Sequence, residues 1–280
     1  MGDSYSQESS HPPARASYDS AYFAPLARIE DRHFWFRSRN RVIEGLIRRI
    51  ESELRPGYRV LEVGCGTGNV LRVLRRVCTR GMTLGMDLFA GGMRFARQRT
   101  DAELIRGDVH APPFGAHFDL IGLFDVLEHL PDDVEVLGAL RVLLTPGGRL
   151  VLTVPAHPSL WSYFDEASRH ARRYDESDLI RKLTGAGFEI EYWSYYMMIL
   201  FPLLWAGRRW ASLNNRRSPG EGRIRELANA ELRIIPGINE LLTLVLTLEL
   251  QIIGRRRQLP MGTSLLVIAR NGPSAVSSPR

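Results

Sequence analysis

The stretch that most constrains this chain is Val60-Leu61-Glu62-Val63-Gly64-Cys65-Gly66-Thr67-Gly68-Asn69. Val60, Leu61 and Val63 make a short apolar run, which breaks into alternate glycines before a helical pattern begins near Asn69 or Val70. A strand, a glycine turn and a helix in succession place a ligand site at the carboxyl ends of the strands of an open α/β sheet. Gly64, Gly66 and Gly68 allow positive φ and let a ligand approach where a Cβ would clash. The spacing is not that of the dinucleotide turn G-x-G-x-x-G, because Asn69 stands where that pattern needs its third glycine.

The residues that follow alternate between helix and strand. Val70, Leu71, Val73, Leu74 and Val77 predict a crossover helix, and Thr83–Asp87 a second strand ending in an acid. A carboxylate about 20 residues past the glycine turn suits the two hydroxyls of a ribose. A helix over 91–99 leads to a third strand over 102–108, again ending in an acid, Asp108. Phe118–Phe124 is the fourth strand, running into Asp125-Val126-Leu127-Glu128-His129-Leu130. A helix from Pro131 through Leu144, a Thr145-Pro146-Gly147-Gly148 turn and a fifth strand, Arg149–Pro155, complete the run. Taken singly, Asp87 or Asp108 reads equally well as a helix cap or surface residue; two strand-end acids behind one glycine turn favour a ligand.

This succession, "VLEVGCGTG", "GMDLF", "RGDV", "FDVLEHL" and "LLTPGGRLVLTVP", resembles the class I S-adenosylmethionine (SAM)-dependent methyltransferases, in particular the small-molecule type that acts on quinones, lipids and natural products. The resemblance is strong over residues 40–155 and weaker over 175–197 and 262–270. It implies an α/β fold: a doubly wound, mostly parallel seven-stranded sheet, Rossmann-like, with a helical insert before the last strand. It also implies SAM as cofactor and S-adenosylhomocysteine as product. The cofactor would be held by Glu62, Gly64, Cys65, Gly66, Gly68 and Asn69 in the turn. Asp87 and Leu88 would meet the ribose, and Asp108 and Val109 the adenine. Phe124, Asp125 and Val126 would close the pocket.

The acceptor side is read from the residues. Residues 156–174 leave the fifth strand on the ligand side, which makes Trp161, Tyr163, Arg173 and Tyr174 candidate acceptor-binding groups. The alternative is that Arg173 and Tyr174 pin the loop through Asp165 or Glu166. An aromatic cluster, Phe34-Trp35-Phe36, precedes a helix running to Ile50 and either plugs it onto the domain or forms a lid carrying His33, Trp35, Arg37 and Arg39 over the ligand. Methyl transfer is an in-line displacement that chiefly requires alignment and exclusion of water. If a base is needed, His129 and His170 are the catalytic candidates; for His129 a hydrogen bond fixing its own turn is the alternative. No metal is expected, since no group has ligand spacing along the chain.

Residues 197–260 depart from the minimal pattern. Met197–Ala206 ends in Arg208-Arg209, and Leu241–Ile253 ends in Arg255-Arg256-Arg257. Neither reaches the ~20 apolar residues of a spanning helix. The second is apolar over most of its circumference, so it is sandwiched within a cap, paired in a homodimer, or set peripherally in a membrane interface. Glu249 inside it needs a partner, an arginine for instance, or a raised pKa. The domain expectation is a flexible tail over 1–20, a SAM-binding domain over 21–196 plus 261–271, the insert over 197–260, and a second tail over 272–280.

The rest of the composition narrows the partners. Lys182 is the only lysine, which excludes lysine Schiff-base chemistry, and Cys65 and Cys78 are the only cysteines, which suits a reducing cytoplasmic setting. Met1 is followed by polar residues, so no secretory leader is expected. A net charge of +6 leaves nucleic acid or anionic lipid open as partners. Against nucleic acid, the fourth-strand motif reads Phe124-Asp125-Val126-Leu127 rather than the acid/Asn-Pro-Pro-aromatic signature of base methylases, and the arginines are dispersed. The expected function is methylation of a small, amphipathic or lipid-like acceptor. The alternatives are a natural-product or sugar O-, N- or C-methyltransferase with a buried cap, or a SAM-fold scaffold without transfer.

Overall fold

A computed structural model describes residues 22–115, 117–214, 222, 224, 226–227, 230 and 232–272. The tail expected over 1–20, the terminal one beyond Gly272 and the middle of the insert lie outside the described residues. Helix α1 (Phe23–Ile29) and helix α2 (Phe34–Glu53) precede the sheet. The sheet alternates β1 (Arg59–Val63), α3 (Leu71–Val77), β2 (Met82–Asp87), α4 (Ala90–Arg99), β3 (Glu103–Arg106), β4 (Phe118–Phe124), α5 (Asp133–Leu143) and β5 (Leu144–Pro155). Then follow α6 (Tyr163–Ala167), α7 (Glu176–Gly185), β6 (Phe188–Tyr196), α8 (Leu200–Asn214), α9 (Ile238–Gly254) and β7 (Ser264–Asn271).

The strand order is β3-β2-β1-β4-β5-β7-β6, with β7 antiparallel to both β5 and β6 and the other pairs parallel. The central strands are apolar on both faces: Val60, Leu61, Leu120, Ile121, Leu150, Val151 and Leu152 have no exposed surface. That is the pattern of a sheet covered on both sides by crossover helices. Helix α2 packs through Val42, Ile43, Leu46, Ile47 and Ile50, each contributing about 1.5–3 kcal/mol of burial energy. The order reverses between β1 and β4, and the carboxyl ends there open the crevice in which such sheets bind ligands.

Three local features differ from the sequence reading. The aromatic cluster is the first turn of α2 rather than a segment before it, because His33 caps the helix by accepting from the Trp35 N–H at 3.3 Å. Strand β5 starts at Leu144, before the Pro-Gly-Gly turn: Phe118 partners Leu144 and Leu120 partners Arg149, so residues 145–148 bulge out of a continuous ladder. Glu249 meets no arginine among the described residues, and the raised-pKa alternative holds instead. Its Oε1 accepts the Ile199 N–H at 3.1 Å, and burial raises its pKa against the pull of the Met197–Ile199 backbone.

Helix α9 lies along α2 and runs the same way. Asn239 accepts from the Phe34 N–H at 2.8 Å and donates to the Arg32 carbonyl at 3.0 Å, while Arg41 donates to Thr247 at 2.5 Å one turn and more further on. One face of α9 is therefore covered. The other leaves Leu241, Leu244 and Leu248 each more than half exposed. No helix of the described residues is long and apolar enough to cross a membrane.

Candidate active site

The turn after β1 is shaped by what surrounds it. Gly64 has φ +72°, and a Cβ there would come 2.4 Å from the Val126 side chain, so this position must be glycine for β1 and the post-β4 turn to meet. Gly68 has φ +76° and lets α4 approach, a Cβ there falling 2.8 Å from Ala96. The Gly66 N–H donates to Asp87 Oδ2 at 2.7 Å, and the Phe89 N–H donates to Oδ1 at 2.8 Å. Burial raises the Asp87 pKa, and these two backbone bonds oppose it. Glu62 is buried beneath the turn with its Oε2 lacking any partner among the described residues. Burial pushes its carboxyl well above the usual range despite the Arg39 charge.

Helix α1 closes over this turn. Thr67 donates to Glu30 at 2.8 and 2.6 Å, and Arg99 pairs with Glu30 while also donating to the Ala27 carbonyl at 2.7 Å. Phe23 sits against the faces of Gly66 and Gly91. The arrangement bolts α1 to α4 across the glycine turn through one buried carboxylate.

The crevice is a cavity of about 790 Å³, within the range of small-molecule sites. One end is polar: the glycine turn, Asp87 and Asp108. Asp108 bonds His110 Nδ1 at 2.7 Å, and His110 Nε2 reaches Asp132 at 2.9 Å. Burial works against the imidazolium, but the two carboxylates outweigh it and raise the His110 pKa. The other end is apolar, walled by Phe34, Trp35, Leu200, Leu203, Leu204 and Leu232.

Between the two ends stands Arg39, which is almost fully buried. It donates to Asp125 Oδ2 at 2.8 Å and to Asn69 Oδ1 at 3.1 Å, and its guanidinium carbon lies 5.1 Å from the Trp35 ring centroid. Asp125 carries φ +54°, uncommon for a residue with a side chain. Arg39 on one oxygen and Thr153 on the other, at 3.0 Å, hold it there. Strain of this kind concentrates where a functional group must be aimed.

Opposite Arg39, the 3₁₀ turn Leu127–His129 and the loop after α6 meet through the Ala171 N–H, which donates to the Glu128 carbonyl at 2.7 Å. This brings the His129 and His170 rings to 4.8 Å, edge to face. His170 Nδ1 bonds Asp165 at 2.9 Å; Asp165 also accepts from Arg173 Nε at 2.7 Å and from the Ser162 N–H at 2.9 Å. Burial raises the Asp165 pKa, but His170 and Arg173 overcome it and hold the carboxyl low. At Glu128 the balance reverses: burial, then the nearby Asp125 charge, pushes its carboxyl well above the usual range against the pull of its own backbone and of Arg173.

A methyltransferase-domain family model matches residues 35–192, more than half of the chain, including the glycine turn, Asp87 and Asp108. The chain belongs to the methyltransferase domain family. One relative of this chain is a 2-phytyl-1,4-naphtoquinone methyltransferase of Thermosynechococcus vestitus, 37% identical over 38% of this chain and 50% of that protein. A ubiquinone biosynthesis O-methyltransferase of Thiobacillus denitrificans is 30% identical over 42% of this chain and 48% of that one. The chain thus spans about half the length of the curated relatives it matches. The fold is also that of phosphoethanolamine N-methyltransferase 2 of Haemonchus contortus in complex with SAM, with a TM-score of 0.51, 19% identity, and coverage of 82% of this chain and 52% of that one. Both findings agree with the class I SAM-dependent assignment made from the motifs.

The cavity suits SAM on its own features. A Cβ at Gly66 would meet nothing closer than 3.6 Å, so the turn leaves open space beside its backbone, and the orphaned Glu62 oxygen matches an ammonium donor. Asp87 keeps lone pairs for hydroxyls beyond its two backbone bonds. Of the residues expected to hold cofactor, Glu62, Gly64, Cys65, Gly66 and Asn69 line the cavity, as do Asp87, Leu88, Asp108, Val109, Phe124, Asp125 and Val126. Gly68 does not, since it faces α4.

Of the acceptor candidates, His33, Trp35 and Arg173 line the cavity, and so do His129 and His170. The other four do not, and each placement has a cause. Arg37 points to the α9 side, into a crevice with Arg41, Glu240 and Thr243. Tyr174 is fully buried, its hydroxyl donating to Asp133 at 2.9 Å, which is the pinning alternative by another acid. Trp161 is exposed beyond the cavity, and Tyr163 starts α6 outside it. Glu30, Phe23, Thr67 and Glu128 were not singled out in the sequence. Only Glu128 had a signal there, its place beside His129.

Proposed function

We propose that the protein transfers a methyl group from SAM to a small amphipathic, lipid-like acceptor. The observation that carries this is the continuity of one cavity from the glycine cradle to the leucine wall of the insert. Glu62, Asp87 and Asp108 would hold the cofactor's polar groups, and Phe34, Trp35, Leu200 and Leu204 the acceptor's apolar part. When bound, SAM supplies a methyl group already activated by its sulfonium. The chain's own work is to align the acceptor and to exclude water. Arg39 and the strained Asp125 fix the wall between the two ends, and α1 closes the cradle. His129 and His170, with Glu128, line the same cavity, which supports assigning them to the acceptor's reacting atom.

The names of the quinone-modifying relatives support an acceptor with a lipid tail. The exposed row Leu241, Leu244 and Leu248, followed by Arg255 and Arg257, supports contact with an anionic lipid surface. Methyl transfer from labelled SAM to a prenylated hydroquinone, against a short-chain phenol, tests the acceptor class. The prenylated compound should react at least ten times faster, and Leu200→Ala with Leu204→Ala should remove most of that preference. Equal rates would overturn the lipid-like reading. Flotation with phosphatidylglycerol vesicles should recover the wild type and lose Leu241→Ser/Leu244→Ser/Leu248→Ser. Equal flotation of the two would reject the membrane contact, and a dimer in light scattering would reassign the face.

A further inference from the structure

The cavity wall holds a group of side chains whose clustering goes beyond what aligning an acceptor requires. Glu128, His129 and His170 each line the cavity, and their ligating atoms lie within 4.8 Å of one another. Glu128 comes from the turn after β4 and His170 from the loop after α6, and the Ala171–Glu128 backbone bond locks these segments together. The Glu128 side chain is 1% exposed, and its Oε2 has no hydrogen-bond partner among the described residues. A buried carboxylate with one oxygen left unbonded is strongly disfavoured unless it is protonated or meets a cation, even with its own backbone N–H as a partner. The nearest arginines are engaged elsewhere: Arg39 with Asp125, and Arg173 with Asp165.

The second observation concerns His170. Its Nδ1 is committed to Asp165, a carboxylate with no exposed surface that Arg173 and Ser162 also hold. That bond fixes the ring and leaves Nε2 as the ligating atom. A metal-bound histidine whose other ring nitrogen donates to a carboxylate is the usual support of such a site.

We propose that Glu128, His129 and His170 form a binding site for a first-row divalent cation of the Zn²⁺ or Mn²⁺ type, with Asp165 as the positioning residue. Two imidazoles and one carboxylate suit these ions better than Mg²⁺ or Ca²⁺, which prefer oxygen. Metal–ligand distances of about 2.0–2.2 Å require the three side chains to draw together slightly by rotation. Three protein ligands on a cavity wall leave further positions open toward the acceptor, as in catalytic rather than structural sites.

The role of the cation follows from its place, and this part rests on the methyltransferase reading above. An acceptor hydroxyl on an open position would lose its proton to solvent more readily, as metal-bound water does. The freed oxygen lone pair then forms the new O–CH₃ bond as the methyl–sulfur bond breaks and its electrons stay on sulfur. The site thus points to an oxygen acceptor.

The test is calorimetry of MnCl₂ and ZnCl₂ into the full chain, freed of any histidine tag and stripped with EDTA, with Glu128→Gln and His170→Ala alongside. The wild type should bind one cation per chain with micromolar affinity or better, and each variant should lose at least 50-fold. Glu128→Gln keeps the shape of the side chain, and its melting temperature shows whether it folds. An absence of saturable binding by the wild type, or equal affinity in a folded Glu128→Gln, would overturn the proposal. SAM binding by the same samples separates the two readings. Cation binding without SAM binding overturns the methyltransferase function and leaves the site; SAM binding without cation binding does the reverse.

Discussion

At the scale of single residues, buried polar groups mark the site more sharply than the glycines do. Arg39 joins Asp125, Asn69 and the Trp35 ring, so it couples α2, the glycine turn and the post-β4 turn. Arg39→Met would leave Asp125 Oδ2 without its donor and Asn69 Oδ1 with the Asn40 amide alone, costing about 1–3 kcal/mol of stability. SAM affinity should fall roughly tenfold, and Arg39→Lys should not restore it because an ammonium has no fork to span both partners. Calorimetry and thermal melts check this; wild-type affinity in the Met variant would contradict it. The two thiols give a second prediction. Burial pushes Cys78 up to about 12 and Cys65 well above its ordinary value. A thiol is reactive only as thiolate. Native protein at pH 8 should therefore show no fast reaction with a disulfide reagent, and two thiols after denaturation; a fast-reacting native thiol would contradict it. Sequence reading singled out Glu62, Asp87 and Asp108, which line the cavity, because each lies in or just past a recognisable strand. It could not find Glu30 or Thr67, whose roles exist only once α1 has folded back on the turn.

At the scale of elements, the strands were legible and the helices around the ligand only partly so. Runs such as Leu120–Leu123 carry their own evidence of burial on both faces. The break between α1 and α2 does not, because it depends on His33 capping one helix while Glu30 bonds a threonine many residues away. Loop 156–174 misled for a similar reason: Tyr174 and Trp161 look alike in sequence, yet one is a core residue and the other is exposed. The closing of α1 over the turn predicts that Phe23→Ala weakens SAM binding about five- to tenfold, on top of the about 3–5 kcal/mol of stability that truncating a buried aromatic costs, since the ring faces the glycine turn. Unchanged affinity by calorimetry would remove α1 from the site. The α8–α9 junction gives a pH prediction. The folded-state pKa of Glu249 is raised by burial. Between the unfolded and folded values the unfolded chain has lost the proton that the folded chain keeps, so stability falls as pH rises through that window. Glu249→Gln removes this dependence. By calorimetry the variant should melt a few degrees above wild type at pH 7, and the gap should close near pH 4. A variant less stable at pH 7 would show that the charged carboxylate is the stabilising form.

At the scale of the whole molecule, a covered parallel sheet supplies the rigid frame, and the reversal between β1 and β4 supplies the place for a cofactor. What varies the chemistry is added at the edges: α1 and α2 before the sheet, the α6 loop after β5, and α8 with α9 before β7. The order of motifs made the frame readable from Glu62 to Pro155. The insert was readable only as apolar, since helical spacing does not say which face α2 will cover and which leucines will stay outside. The account stands on the cofactor sitting at the glycine turn with Asp87 beside it. The most direct measurement is calorimetric titration of SAM into the wild type and into Asp87→Ala. The wild type should bind one SAM per chain with micromolar affinity, and Asp87→Ala should lose at least tenfold while staying folded. No detectable binding by the wild type, or equal affinity in the folded variant, would contradict it.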